Sequence, residues 1–201
     1  MKKLVVYVHG KGGNIEEAKH YESLFLECDV IGFDYVSNVI WDAKEEFLNY
    51  FNTKKEKYES IILIANSIGA YFSMSSLSEE QISEAYFISP IVNMEKLICD
   101  MMKWANVSEE ELFRKKEIVT NFNETLSYKY LSFARNNPIN WNVKTHILYG
   151  ENDYLTSFET INEFKTKTNS TLDILKNGEH WFHTNEQMKF LDDWILKYKN
   201  I

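Results

Sequence analysis

The segment that decides the fold is residues 61–69, which have the sequence IILIANSIG. Its first five residues are apolar and rich in isoleucine, which is typical of a strand buried on both faces of a parallel sheet. Asn66 then leads to Ser67 and Gly69, and the segment from Ser67 onward is rich in small residues, which predicts a closely packed helix. This is the context of a nucleophile elbow, G-x-S-x-G, although Ala65 replaces the usual first glycine. A helix N-cap is the alternative role for Ser67.

On either side of this segment, apolar strands alternate with amphipathic helices. The alternation predicts parallel βαβ units, and hence an α/β fold: a three-layer αβα sandwich around a mostly parallel sheet of about six strands. The predicted strands are Leu4–Val8, Val30–Tyr35, Ile61–Ala65, Ala85–Ile88, Thr145–Tyr149 and Thr171–Leu175. The predicted helices are Ile40–Tyr58, Ser67–Leu77, Phe158–Thr168 and Glu186–Tyr198. We expect residues 1–201 to form one domain.

One connection is far longer than the short loops usual between strands and helices. Residues 91–141 separate the fourth and fifth predicted strands, and they contain helical patterns over 94–104, 108–119 and 124–135. Ser108 followed by Glu111 is a capping-box pattern at the start of the second. We expect this insertion to form a helical cap over the ends of the strands.

A glycine-rich loop, His9-Gly10-Lys11-Gly12-Gly13, follows the first strand directly. Such a loop lets backbone N–H groups turn toward a ligand, and in acyl transfer these donors stabilise the developing oxyanion. A phosphate-binding loop is the alternative, but neither the dinucleotide nor the Walker spacing is met. We expect the glycines to support this loop and His9 to orient it.

Two further loops follow the fifth and sixth strands, at the edge where parallel sheets present their ligands. The first contains Asp153, which could orient an imidazole, with turn formation as its alternative role and Glu151 as the fallback acid. The second contains His180, directly after Gly178. His183 is the competing histidine, but it is better placed to cap or pack at the start of the last helix.

The chain order Ser67, Asp153, His180, with each residue after its own strand, resembles the α/β-hydrolase superfamily. The resemblance covers nearly the whole chain, including the cap insertion. It implies a catalytic triad with Ser67 as nucleophile, Asp153 as acid and His180 as base. It also implies that the backbone N–H groups of Lys11 and Ile68 form the oxyanion hole.

The activity that this resemblance implies is that of a serine hydrolase, which cleaves a small carboxylic ester or thioester through an acyl-enzyme formed on Ser67. A non-catalytic binding protein on a hydrolase scaffold and an acyltransferase are the alternatives. No metal is expected, because no cluster of histidine, cysteine and carboxylate side chains has ligand spacing. No organic cofactor is implied.

Composition and charge narrow the range of partners. The chain has 30 acidic and 22 basic residues, and its formal net charge of -8 argues against nucleic acid as a partner. No apolar run approaches the roughly 20 residues that span a bilayer. The first apolar run stops at His9, too early for a signal peptide, so we expect a cytoplasmic protein. Cys28 and Cys99 lack metal or redox spacing and are expected to be free thiols.

Overall fold

Parallel pairing of buried apolar segments builds the main sheet. The structure, a computed structural model, describes residues 2–199. Within these residues it contains eight strands: β1 (Lys3–Val8), β2 (Cys28–Gly32), β3 (Ile61–Asn66), β4 (Glu84–Ile88), β5 (Glu117–Val119), β6 (Thr125–Ser127), β7 (Thr145–Gly150) and β8 (Thr171–Leu175). Six of them form a parallel sheet in the order β2-β1-β3-β4-β7-β8, and β5 pairs with β6 in an antiparallel hairpin.

The strand order reverses direction between β1 and β3. From β1 the chain moves outward to β2, and it then returns to the other side of β1 and continues from β3 to β8. Ligands of open α/β sheets bind beyond the carboxyl ends of the strands at such a reversal. The glycine-rich loop after β1 and the serine after β3 are therefore brought to the same crevice.

Helices cover both faces of this sheet. In the part of the chain that contains the sheet, the helices are α1 (Lys19–Glu22), α2 (Ile40–Lys55), α3 (Ile68–Ser76), α7 (Phe158–Thr168) and α8 (Asn185–Tyr198), with a short 3-10 helix at Ile15–Ala18. The helices α4 (Met94–Trp104), α5 (Glu109–Lys115) and α6 (Tyr128–Asn136) belong to the separate segment described below. On one face, residues of α1 and α8 share an apolar cluster with Val5 and Tyr7 of β1. On the other face, α3 packs against β1 at Val8 and also contacts α2. The predicted three-layer αβα sandwich is confirmed.

The residues divide into two compact units. The first contains the parallel sheet and extends to Val92 and again from Asn140 onward, and the second is Asn93–Ile139. In the second unit α4 packs against α6, and the guanidinium of Arg135 donates hydrogen bonds to Glu95 (2.7 Å) and Glu109 (2.8 Å). Arg135 thereby ties α6 to both α4 and α5. No helix among residues 2–199 is long and apolar enough to cross a membrane.

The structure corrects two predicted elements of the second unit. A helix over 108–119 is wrong, because α5 ends at Lys115 and Lys116 takes a positive φ of 69° that stops the helix. The β-branched residues that follow form β5 instead. The helix predicted from Glu124 begins later, at Tyr128, because residues 125–127 pair with β5. Ser108 does cap α5, since its side chain accepts the Glu111 N–H at 3.1 Å.

The second predicted strand lies earlier in the chain than expected, since it begins at Cys28 rather than at Val30. It ends at Gly32 rather than at Tyr35, although the Phe33 N–H still donates to the Tyr7 carbonyl at 2.8 Å. Beyond that bond the chain leaves the sheet, and the ring of Phe33 stacks on Tyr50 of α2 with centroids 3.9 Å apart. Aromatic packing against α2 therefore replaces sheet pairing in this segment.

The contact between α3 and β1 requires glycine at position 69. A β-carbon built there would overlap the carbonyl oxygen of His9 and lie 2.9 Å from that of Val8. Both neighbours are backbone atoms, which cannot swing aside as a flexible side chain can. Gly69 thus lets the first turn of α3 lie directly on the end of β1.

We expect Gly69→Ala to lower the free energy of unfolding by about 2 kcal/mol, the usual cost of overpacking a tight contact. Glycine to alanine in a helix normally raises stability by up to about 1 kcal/mol, so the predicted sign is opposite to the propensity effect. Urea denaturation of the two proteins measures the difference. An alanine variant as stable as the original would contradict the backbone contact described here.

Candidate active site

Ser67 occupies a strained turn between β3 and α3. Its φ of 52° and ψ of -120° lie in a region that residues other than glycine rarely adopt. The Ser67 N–H donates to the Ile88 carbonyl (3.0 Å), and the Ser67 carbonyl accepts from the Ile91 N–H (3.1 Å). The alternative role as an N-cap is not realised, because the Ser67 hydroxyl makes no capping bond to α3. The turn directs this hydroxyl away from the helix.

The Ser67 hydroxyl is hydrogen-bonded to an imidazole instead. Its Oγ lies 2.8 Å from Nε2 of His180, and Nδ1 of the same ring lies 2.7 Å from Oδ2 of Asp153. When Nδ1–H donates to the carboxylate, Nε2 is free of its proton and accepts from the serine hydroxyl. The structure thus brings Ser67, His180 and Asp153 into one hydrogen-bonded relay.

The Asp153 carboxylate is held from two sides. Its side chain is fully buried, and Oδ1 accepts the N–H groups of Leu155 (2.8 Å) and Thr156 (3.2 Å) while Oδ2 faces His180. Backbone donors offset part of the cost of burying a charged carboxylate. Asp153 therefore fills both roles considered from the sequence, because it forms the turn and also orients the imidazole.

The loops after β7 and β8 are joined to each other by main-chain contacts. The Asn152 N–H donates to the Gly178 carbonyl at 2.8 Å, and the Glu151 N–H donates to the Leu175 carbonyl at 3.0 Å. The Glu151 carboxylate accepts the Asn177 N–H at 2.9 Å. Glu151, the alternative acid predicted from the sequence, therefore links the two loops and does not contact the imidazole of His180.

His183 is engaged at the start of α8. Its Nδ1–H donates to the Trp181 carbonyl (2.9 Å), its ring stacks on that of Trp181, and its N–H donates to Gln187 Oε1 (3.0 Å). These contacts match the capping and packing role that the sequence suggested for it.

The glycine-rich loop lies beside the serine. A β-carbon built on Gly10 would stand 3.1 Å from Cβ of Ser67, and the Gly13 N–H closes a turn onto the Gly10 carbonyl at 3.1 Å. Lys11 lies within this turn. Across the crevice, Ile68 begins α3, and N–H groups in the first turn of a helix have no carbonyl partner within that helix. The two N–H groups predicted as donors thus belong to backbone segments that flank Ser67.

Tyr35 holds the loop at its start, a role that the sequence did not reveal. Its ring stacks on the imidazole of His9 with centroids 4.4 Å apart, and its hydroxyl donates to the His9 carbonyl at 2.9 Å. Burial raises the pKa of Tyr35 to about 12, so the hydroxyl stays protonated and continues to donate at neutral pH. His9 itself donates from Nδ1 to the Gly10 carbonyl, as expected of an orienting residue.

The remaining histidines make contacts away from the relay, and neither cysteine forms a disulfide. His20 pairs with Asp192 at 2.6 Å, and His146 lies within β7 between Glu84 and Thr171. Cys28 and Cys99 are free thiols. Among the residues that the structure describes, no group of three or more histidine, cysteine or carboxylate side chains could hold a metal ion.

Comparison with known proteins gives structural matches only. No family model matches the chain, and no curated protein matches it significantly. Est1E from Butyrivibrio proteoclasticus is 14% identical with a TM-score of 0.73, and the alignment covers 98% of this chain and 86% of that protein. Mouse alpha/beta hydrolase domain-containing protein 10 is 15% identical with a TM-score of 0.71, covering 96% and 87%. An esterase from Pyrococcus furiosus is 20% identical with a TM-score of 0.55, covering 98% and 80%.

At these identities the likeness concerns the fold. The neighbours are hydrolases and esterases of one architecture, and their alignments extend over nearly the whole chain. The same architecture follows independently from the parallel sheet, its reversal between β1 and β3, and the helices on both faces. The chain therefore has the α/β-hydrolase fold, as its motifs predicted.

Proposed function

We propose that this protein is a serine hydrolase that cleaves small carboxylic esters or thioesters through an acyl-enzyme on Ser67. The observation that carries the proposal is the relay from Ser67 through His180 to Asp153, with hydrogen bonds of 2.8 and 2.7 Å. The three residues come from loops far apart in the chain. Packing alone does not require a hydroxyl, an imidazole and a buried carboxylate in this order.

In the first half of the reaction, Ser67 Oγ attacks the carbonyl carbon of the substrate while Nε2 of His180 removes the hydroxyl proton. The imidazole becomes positively charged, and the Asp153 carboxylate stabilises that charge through Nδ1–H. The tetrahedral intermediate then collapses. The bond to the leaving oxygen or sulfur breaks, His180 returns the proton to it, and the acyl group remains on Ser67.

In the second half, a water molecule takes the place of the alcohol or thiol. His180 removes a proton from this water, which attacks the acyl carbon, and the second tetrahedral intermediate releases the carboxylic acid and restores the Ser67 hydroxyl. In both halves negative charge develops on the carbonyl oxygen. The N–H groups of Lys11 and Ile68 flank Ser67 on separate backbone segments and are proposed to donate to this oxygen.

Aromatic side chains around the imidazole favour an apolar group on the substrate. Tyr154 follows Asp153 directly, is 72% exposed, and has its ring centroid 6.4 Å from that of His180. Trp181 follows His180 and is 66% exposed. Exposed aromatic rings next to a reactive centre offer apolar contact area that a substrate can cover. We infer that the acyl or alcohol portion of the ester is apolar.

Ser67→Ala should lower hydrolysis of p-nitrophenyl esters at least about 1000-fold, because removing the nucleophile prevents acyl-enzyme formation. The fold should be retained, since the hydroxyl contributes little to packing. A series of acyl lengths from acetate to octanoate measures turnover and tests the preference for apolar groups. Circular dichroism provides the control for folding.

A fluorophosphonate probe gives a second test of the same residue. It should label the original protein at Ser67 and leave Ser67→Ala unlabelled, with the site located by peptide mass analysis. A protein that only binds ligands would not be labelled, and an acyltransferase would form the alkyl ester when an acceptor alcohol is added. Full turnover by Ser67→Ala would remove this serine from the mechanism.

The two histidines should differ sharply in their effect on catalysis. His180→Ala should reduce kcat at least about 1000-fold, because the serine then has no base. His183→Ala should change kcat by less than about threefold, since its imidazole contacts Trp181 and not Ser67. Steady-state kinetics on both variants measures this contrast, and a reversal would transfer the base role to His183.

The Asp153 carboxylate of the relay and the neighbouring Glu151 carboxylate form a second matched pair. Asp153→Asn should lower kcat about 100-fold or more, because the amide no longer stabilises the charged imidazole. Glu151→Gln retains an oxygen that can accept the Asn177 N–H, so activity should remain within about threefold. Equal losses in the two variants would mean that neither carboxylate acts through His180.

A further inference from the structure

A second hydrogen-bonded group lies beneath the glycine-rich loop, outside the relay. Glu17 belongs to the 3-10 helix that follows this loop, and its two carboxylate oxygens have different partners. Oε2 accepts the hydroxyl of Tyr7, and Oε1 accepts the N–H of Asn14 at 3.3 Å. We refer to Tyr7 and Glu17 as the loop clamp. Strand β1 leads into the glycine-rich loop, and the clamp joins this strand to the far end of the loop, next to Asn14.

The buried half of the clamp is the Tyr7 side chain. Tyr7 is only 2% exposed and lies on β1 two residues before His9. Burial raises the pKa of its hydroxyl far above the usual range, with smaller contributions from Tyr21 and from the Glu17 hydrogen bond. The hydroxyl therefore stays protonated and donates.

The exposed half of the clamp is the Glu17 side chain, which lies beside the end of the glycine-rich loop. A β-carbon built on Gly13 would stand 3.0 Å from Oε1 and 3.1 Å from Oε2 of Glu17. The end of the loop is therefore in contact with the carboxylate, while its start is held by the Tyr35 hydroxyl on the His9 carbonyl. Lys11 lies between these two fixed points.

We propose that Glu17, acting with Tyr7, is a positioning residue that sets the direction of the Lys11 N–H toward the reacting carbonyl oxygen. The inference rests on the function proposed above. A glycine-rich loop has many accessible conformations, whereas an oxyanion donor is effective only when it is oriented before the reaction begins. Phenylalanine would fill the Tyr7 site without a polar group, so the buried hydroxyl is best explained by the bond that it makes.

The test compares neighbouring glutamates on one short helix. Glu17→Ala should lower kcat for a p-nitrophenyl ester about 30-fold while KM changes less than about twofold, because the donor acts mainly in the transition state. The pH–rate profile should keep its midpoint, since His180 is untouched. Glu16→Ala is the matched control and should leave kcat unchanged, because the Glu16 carboxylate pairs with Lys19 on the surface.

Tyrosine variants test the same clamp from its buried side. Tyr7→Phe should also lower kcat about tenfold or more, whereas Tyr21→Phe, which alters a ring packed 5.3 Å from that of Tyr7, should not. The double variant Tyr7→Phe with Glu17→Ala should lose no more than the more damaging single change, because both break one connection. Glu17→Gln should retain most of the activity, since its amide oxygen can still accept the Asn14 N–H while its amide nitrogen donates to the Tyr7 hydroxyl oxygen.

The outcomes separate the two proposals. If the original protein hydrolyses esters and Glu17→Ala behaves like Glu16→Ala, the clamp has no positioning role and the hydrolase proposal stands. A rise in KM at constant kcat would also overturn the inference, because it would indicate a loss of ground-state binding instead. If the original protein is neither labelled at Ser67 nor active on any ester, both proposals fail together.

Discussion

The site depends on one close backbone contact, between the first turn of α3 and the carboxyl end of β1. A β-carbon at position 69 would overlap the carbonyl oxygen of His9 and lie 2.9 Å from that of Val8, so a side chain has no room there. The chain can leave β3 and enter α3 in this space only through a very tight turn, and Ser67 accordingly takes a positive φ. Strand β4 and the segment after it stabilise the strained turn, because the Ile88 carbonyl accepts the Ser67 N–H and the Ile91 N–H donates to the Ser67 carbonyl. The same contact brings Gly10 beside Ser67.

The fold was predictable where the local sequence pattern favours the same secondary structure that tertiary packing requires. Ile61–Asn66 is an almost wholly apolar segment and Thr171–Leu175 alternates polar with apolar residues; both have strand length, and their ends fall within a residue of the prediction. The hairpin of β5 and β6 was missed because three-residue strands show no clear period and adjoin helical patterns. The segment around Phe33 has strand-like composition, yet its aromatic side chains pack on α2.

The candidate site was predictable for residues that follow strands directly. Ser67, Asp153 and His180 each come soon after a strand end, and parallel strands end at one edge of the sheet, so sequence position was enough to bring them together. Tyr35, Tyr7 and Glu17 carry no such signal. Tyr7 looks like any buried strand residue, and Glu17 looks like any exposed helical carboxylate. Their hydrogen bonds around the glycine-rich loop form only after the loop has folded.

The hydrogen bonds that hold the imidazole of His180 bear on the second half of the proposed reaction, in which water attacks the acyl group. His180 is fixed on its far side by a buried carboxylate, and its loop is bonded to the loop of Asp153 through Asn152 and Gly178. None of these contacts involves the serine. In the reaction proposed above, an acyl group on Ser67 would replace the proton that links the serine to the ring, and it would leave the ring's other hydrogen bonds in place. In the proposed mechanism, His180 would therefore keep its orientation until the water attacks, and the proposed acyl-enzyme should be short-lived.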